Sequence, residues 1–172
     1  MTELGGSSLF TLDVHPKEVP FSVEQRAEML EETAWSAAFV WREIEVLARH
    51  MIGHSAPRGT TIFTEGDPSR YMSLIVKGEV DIIKHDSDGK KHVITTLGPG
   101  KTLGEMALID NEPRSAAAVA STDALLLLLT ENQFDALIKT YPGLGLRLIL
   151  KLAKMLSQRL RSTSGVLVDH LE

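Results

Sequence analysis

The segment Gly104-Glu105-Met106-Ala107-Leu108-Ile109-Asp110-Asn111-Glu112-Pro113-Arg114-Ser115-Ala116 sets an acid behind a glycine, then a short apolar run, then a proline followed by Arg-Ser. Each part answers a need of a small phosphorylated sugar. Gly104 lets backbone approach an anion closely. A brief helical turn beginning at Glu105 would aim free N–H groups at a phosphate. Arg114 brings a fixed charge on forked donors, and Ser115 adds a hydroxyl. Glu105 is wanted for another reason: a carboxylate repels phosphate but accepts hydrogen bonds from a sugar hydroxyl. Together these residues describe a pocket for a cyclic nucleotide. Plainer roles stand beside this one. Arg114 could be a surface cation paired with Glu112 or Asp110, which is worth little. Glu105 could simply be an acid favoured at a helix N-terminus.

On either side of this segment the chain is punctuated by turn signals: Glu65-Gly66-Asp67-Pro68, Lys77-Gly78, Asp86-Ser87-Asp88-Gly89 and Gly98-Pro99-Gly100. Between them lie short apolar stretches (Val80, Ile82, Ile83, then Val93, Ile94, Leu97) that read as neighbouring strands. The aliphatic run Ala124 to Leu129 is too short to span a bilayer and reads as a buried strand. Regular short strands of this kind predict a mainly β chain with flanking helices, folded as a double-sheet jelly roll over residues 56–130.

Residues 1–20 mix Gly-Gly-Ser-Ser with Pro16 and Pro20 and are expected to form a loose tail. Residues 21–55 are expected to be helical. Ser22 is placed to cap the first helix, with Gln25 completing the box and Val23, Ala27, Leu30 and Ala34 at helical spacing. A second helix, about Trp41 to Met51, carries Ile44, Leu47 and Ala48 on one face, with Gly53 as its stop. Trp35 and Trp41 are expected to be packing anchors. In residues 131–172, Thr130 is expected to cap a helix running to Lys139, broken at Pro142-Gly143 and followed by a longer one from about Leu144 to Ser162. Ile149, Ala153, Leu156, Leu160 and Leu167 lie near one seam of it, a coiled-coil-like stripe.

The chain resembles the cyclic nucleotide-binding domain, the sensor module of the catabolite activator proteins and of cyclic nucleotide-gated channels and kinases. The resemblance covers roughly residues 41–161. It rests on Gly59-Thr60-Thr61-Ile62-Phe63-Thr64-Glu65-Gly66-Asp67, Leu74-Ile75-Val76-Lys77-Gly78-Glu79-Val80, Leu97-Gly98-Pro99-Gly100 and Gly104-Glu105, in that family's order and spacing. It implies that Arg114, Ser115, Ala116 and Ala107 contact the cyclic phosphate, and that Gly104, Glu105 and Met106 contact the ribose, Glu105 accepting from the 2′-hydroxyl. It also implies that Ile82, Ile94 and Leu97 pack the purine, although as strand residues they could equally be plain core. A lid is expected from the last helix. There the chain departs from the bacterial activators, offering Met155, Arg159 and Leu160 where they offer an arginine and a Thr-Ser pair. Arg159 could stack over the base, and Leu156 or Leu160 could cap it. The implied ligand is cAMP in preference to cGMP, with no other cofactor.

Composition narrows the function classes. With no cysteine there is no disulfide, thiolate nucleophile or thiolate metal site, which fits a reducing, cytoplasmic setting. No signal peptide or membrane span is visible. The net charge of −5 argues against direct nucleic-acid binding. Residues 145–161 do hold Arg147, Lys151, Lys154, Arg159 and Arg161 without an acid, which a solvated helix face explains. His50 and His54 are four apart, but Gly53 lies between them and no third ligand is evident. His85 and His92 flank a turn and do not make the inward metal cluster of a cupin-type enzyme, so no catalytic residue and no metal ligand are assigned.

The chain is expected to be a sensor without enzymatic activity that passes ligand state through its last helix to an unidentified protein partner or to a second copy as a homodimer. The helix at residues 22–34 is the candidate docking element. With Glu172 close behind the last helix, no helix-turn-helix domain is expected. The alternative is a module of the same fold that binds no nucleotide and serves only in docking or dimerisation.

Overall fold

A computed structural model describes residues 15–169, with residues 164–169 as helix backbone. The elements, in chain order, are β1 (Lys17–Val19), α1 (Val23–Glu31), a 3-10 turn (Ala34–Ala38), α2 (Trp41–Arg49), β2 (Ile52–Ala56), β3 (Thr61–Phe63), β4 (Tyr71–Lys77), β5 (Val80–His85), β6 (Lys91–Leu97), β7 (Thr102–Leu103), α3 (Glu105–Asp110), β8 (Ala117–Ala120), β9 (Ala124–Thr130), α4 (Glu131–Thr140) and α5 (Pro142–Asp169). The strands form two antiparallel sheets, ordered β1-β2-β9-β4-β7 and β3-β8-β5-β6. They make the expected jelly roll, with helices at both ends of the chain.

The leucine run explains how sheet and helices share one framework. β9 pairs with β2 on one edge and β4 on the other, and each of its faces enters a core. Side chains alternate across a strand. Leu127 and Leu129 therefore enter the core under the helices, with Met72, Leu74, Leu137, Leu148 and Leu152. Leu126 and Leu128 enter the core between the sheets, with Ile75, Val80 and Leu103. A strand buried on both faces reads as an unbroken apolar run.

Within the described residues, the N-terminal part differs from the expectation at its first strand and at residues 52–55. Residues 1–14 of the expected tail lie outside the described residues. Lys17–Val19, expected to be loose, pair with Gly53–Ser55 as an edge strand. Residues 52–55, expected to be helical, belong to β2. Gly53 is accordingly no helix stop. It sits in the middle of the strand, where a Cβ would collide with the Phe21 ring. The first helix starts as expected: Ser22 Oγ accepts from the Gln25 N–H at 3.1 Å, and Gln25 Oε1 accepts from the Ser22 N–H at 2.8 Å. Its Ala27 and Leu30 are buried in the helical core.

Trp35 is buried with its ring tilted against that of Phe39, whereas Trp41 is 40% exposed. On α5, Leu144, Leu148 and Leu152 form the buried face. Three of the five cations expected on a solvated face have local partners. Arg147 pairs with Glu43 of α2, Lys151 lies over the Trp35 ring, and Arg159 pairs with Glu105.

Candidate functional site

The segment 104–116 leaves β7, makes the short helix α3 and returns to β8. Gly104 begins it in the left-handed conformation at φ 76°. Only glycine fits there: a Cβ would strike Arg114 Nη1 and come within 2.9 Å of the Tyr71 carbonyl oxygen. Asn111 ends α3, also left-handed, which asparagine tolerates better than most residues.

Arg114 is held by its backbone and by its side chain. The turn at residues 65–68 clamps the backbone: the Gly66 N–H donates to the Arg114 carbonyl at 2.8 Å, and the Arg114 N–H donates to the Asp67 carbonyl at 2.9 Å. The guanidinium lies between two rings, 4.2 Å from the centroid of Phe63 and 4.4 Å from that of Tyr71. Nη1 donates to the Gly104 carbonyl at 2.8 Å, and Nη2 reaches Ser69 Oγ at 3.4 Å. The residue is only 3% exposed. Among the described residues no carboxylate lies within ion-pair distance of it, and its buried Nε has no partner. Burial pushes its pKa below the usual arginine value. The plainer alternative, a surface pairing with Glu112 or Asp110, is not found among the described residues.

Glu105 is also buried, at 1% exposure. Its Oε1 pairs with Arg159 of α5, whose Nη2 donates to the Thr102 carbonyl at 2.6 Å. Its Oε2 is buried without a partner.

A cavity opens between this segment and the sheet of β5 and β6. Of the residues expected at the site, Gly104, Glu105, Met106, Ala107, Arg114, Ser115, Ala116, Ile82, Leu97 and Arg159 line it. Ile94, Leu156 and Leu160 do not. Ile94 is displaced by a β-bulge: Ile82 faces Thr95 and Ile83 faces Val93, leaving Ile94 unpaired and 61% exposed. One extra residue shifts the alternation of the strand, so Thr95 lines the cavity instead. Leu156 is half-buried outside the lining, and Leu160 is 69% exposed. Arg159 lines the cavity while paired with Glu105.

Phe63, Leu103 and Thr95 are lining residues that the sequence reading missed. Phe63 was legible within Thr61-Ile62-Phe63, next to a recognised turn, but nothing local shows that its ring meets a guanidinium fifty residues away. Among the described residues, no group of three or more His, Cys, Asp or Glu side chains is placed to hold a metal, and no helix is long and apolar enough to cross a membrane.

Fold and site together define a jelly-roll module with a cavity between the 104–116 segment and its second sheet. The sequence profile of the cyclic nucleotide-binding domain matches residues 54–141, and the chain belongs to that family. It is similar to the cyclic AMP receptor protein of Thermus thermophilus, 34% identical over 119 residues that make up 69% of this chain and 53% of that protein. It is also similar to the CRP-like cAMP-activated global transcriptional regulator of Mycobacterium tuberculosis, 29% identical over 126 residues, covering 73% and 54% of the two chains. The chain thus spans about half the length of these curated relatives. A crystal structure of a cyclic nucleotide-binding domain from Methylobacillus flagellatus matches with a TM-score of 0.72 at 33% identity, covering 81% of this chain and 79% of that one.

Proposed function

We propose that this chain is a non-enzymatic regulatory module that binds one cyclic purine mononucleotide, cAMP in preference to cGMP, and reports its presence through α5. The observation that carries this reading is Arg114. A guanidinium buried to 3% exposure without a carboxylate in reach is costly unless an anion completes it. A cyclic phosphate carries a single negative charge and matching acceptors. The apolar side chains of Ile82, Leu97 and Leu103 offer the base a slot. The preference for cAMP is supported by the names of the Thermus and Mycobacterium relatives. A cytoplasmic location accords with a soluble second-messenger ligand.

Calorimetric titration of nucleotide-stripped protein with cAMP and then cGMP tests the reading. The expected result is saturable binding near one site per chain, tighter for cAMP. Absence of both heat and thermal shift at high micromolar nucleotide would overturn it in favour of a docking module.

The output route is proposed to be a homodimer through α5, or a partner protein seated on the same face. Ile149, Ala153 and Leu160 of the expected stripe are exposed, as are Leu146 and Leu150 beside them, while Leu167 lies outside the described side chains. Replacing Ile149 and Leu160 together by glutamate is expected to shift the sedimenting species from dimer to monomer with little change in melting temperature. A wild-type protein that sediments as a monomer would remove the seam.

A further inference from the structure

The flank of α5 that faces the N-terminus of α2 carries a surface that shares no residue with the cavity. We infer that through this surface the chain docks peripherally on the headgroups of an anionic lipid bilayer. Such docking does not depend on the ligand reading above.

Arg147, Lys151 and Lys154 recur at steps of four and three, which sets them in one row along the helix. The chain as a whole carries a charge of −5, yet residues 142–163 hold no acid. Leu146 and Leu150 run beside the row, both exposed. The Glu43 carboxylate ties this row to α2: Oε2 accepts from the Val40 N–H at 3.1 Å, and Oε1 pairs with Arg147. Val40 and Trp41, also exposed, are thereby brought up to the cations. Arg42 shares a hollow with Arg147 on one side, and Ala38 shares another with Leu150, Lys151 and Lys154. Among the described residues neither Arg42 nor Lys154 has a carboxylate within ion-pair distance. Four cations against one acid thus surround a tryptophan, a valine and two leucines. Anionic headgroups supply the missing counter-charge, the aliphatic side chains enter the boundary below them, and an indole favours that depth. A nucleic acid would use the cations and leave the aliphatic groups in water. Val40, Trp41 and Leu146 stand outside both hollows. Protruding side chains suit a bilayer, which yields to them, better than a partner helix, which needs a groove to enter. The dimer seam proposed above is left clear: at about 100° per residue, Ile149 and Leu160 point roughly away from Arg147 and Lys154.

Co-sedimentation of the full chain with vesicles tests the docking, using phosphatidylcholine alone and phosphatidylcholine with about one third phosphatidylglycerol. The mixed vesicles should bind at least roughly tenfold more tightly, and high salt should weaken them several-fold. Replacing Arg42 and Lys154 together by glutamate should cost at least roughly 30-fold, on the scale of about fivefold for each cation removed. Should that variant fail to fold, Lys154→Glu alone carries the comparison at about fivefold or more; Lys154 is exposed. On mixed vesicles the tryptophan emission should move to shorter wavelength. Trp41→Phe should abolish the shift while keeping most of the binding, since Trp35 is already buried. Absence of binding, equal binding to both vesicle types, a charge-reversed variant that binds like wild type, or an unmoved emission overturns the inference. Binding to soluble poly-glutamate without binding to vesicles overturns it as well and gives the surface to an acidic protein. None of these outcomes touches nucleotide affinity, which the titration above measures separately.

Discussion

Replacing Arg114 by alanine is expected to weaken nucleotide binding by about 2–4 kcal/mol, a roughly 30- to 1,000-fold rise in Kd, the scale of removing one member of a desolvated charge pair. The effect is large because nothing nearby substitutes for the guanidinium. No other cation is among the residues lining the cavity except Arg159, which is engaged by Glu105. The fold should survive the change. Removing Arg114 loses its contacts with Phe63 and Tyr71 and its bond to the Gly104 carbonyl, but it also removes a buried charge without an ionic partner. These terms oppose one another, so the melting temperature should move by only a few degrees. Calorimetry alongside a thermal melt checks both parts. An affinity within twofold of wild type would place the phosphate elsewhere.

Gly104→Ala is expected to damage site and stability together. The left-handed backbone alone costs about 1 kcal/mol for a residue with a Cβ. The added carbon must also displace the Arg114 guanidinium or strain against the Tyr71 carbonyl. A loss of roughly 2–3 kcal/mol in folding free energy and at least about tenfold in affinity follows from adding such strain to a misplaced phosphate ligand. Gly59→Ala separates the two causes. Gly59 is also left-handed, at φ 86°, but a Cβ there meets nothing within 4 Å. It should pay the backbone strain alone and keep wild-type affinity. Denaturant unfolding and titration of both variants make the comparison; equal affinities in the two would show that Gly104 is needed only for its conformation.

The jelly roll was legible because its turns are written in local chemistry, in Gly66, Gly78 and Gly98-Pro99-Gly100. The segment 104–116 was legible for the same reason: its glycine, acid, arginine and serine lie within thirteen residues of each other. What escaped was non-local. The bulge at Ile94 is a property of pairing between β5 and β6, and matching positions to the family along the sequence does not show it. β1 is three residues long and becomes a strand only because β2 lies beside it. Gly53 carries the signal of a helix stop, yet its reason is the ring of Phe21. The pairing of Arg159 with Glu105 joins residues that no window of sequence holds together.

The alternating leucines of β9 bear on how the molecule can move. One strand serves both cores, so the helical side cannot loosen without disturbing the barrel that carries the cavity. The two halves should therefore melt as one unit, and large excursions of the frame are closed to a messenger that only shifts populations. Freedom is left at the periphery. α5 is nailed to the body by Leu144, Leu148 and Leu152, and beyond them its described side chains are half-buried or exposed. Its distal half is thus a lever whose fulcrum lies near Leu152 and whose tether is the arginine seven residues further on. Slack at that tether would be magnified along the remaining turns, so the proposed ligand would act on a surface well away from itself.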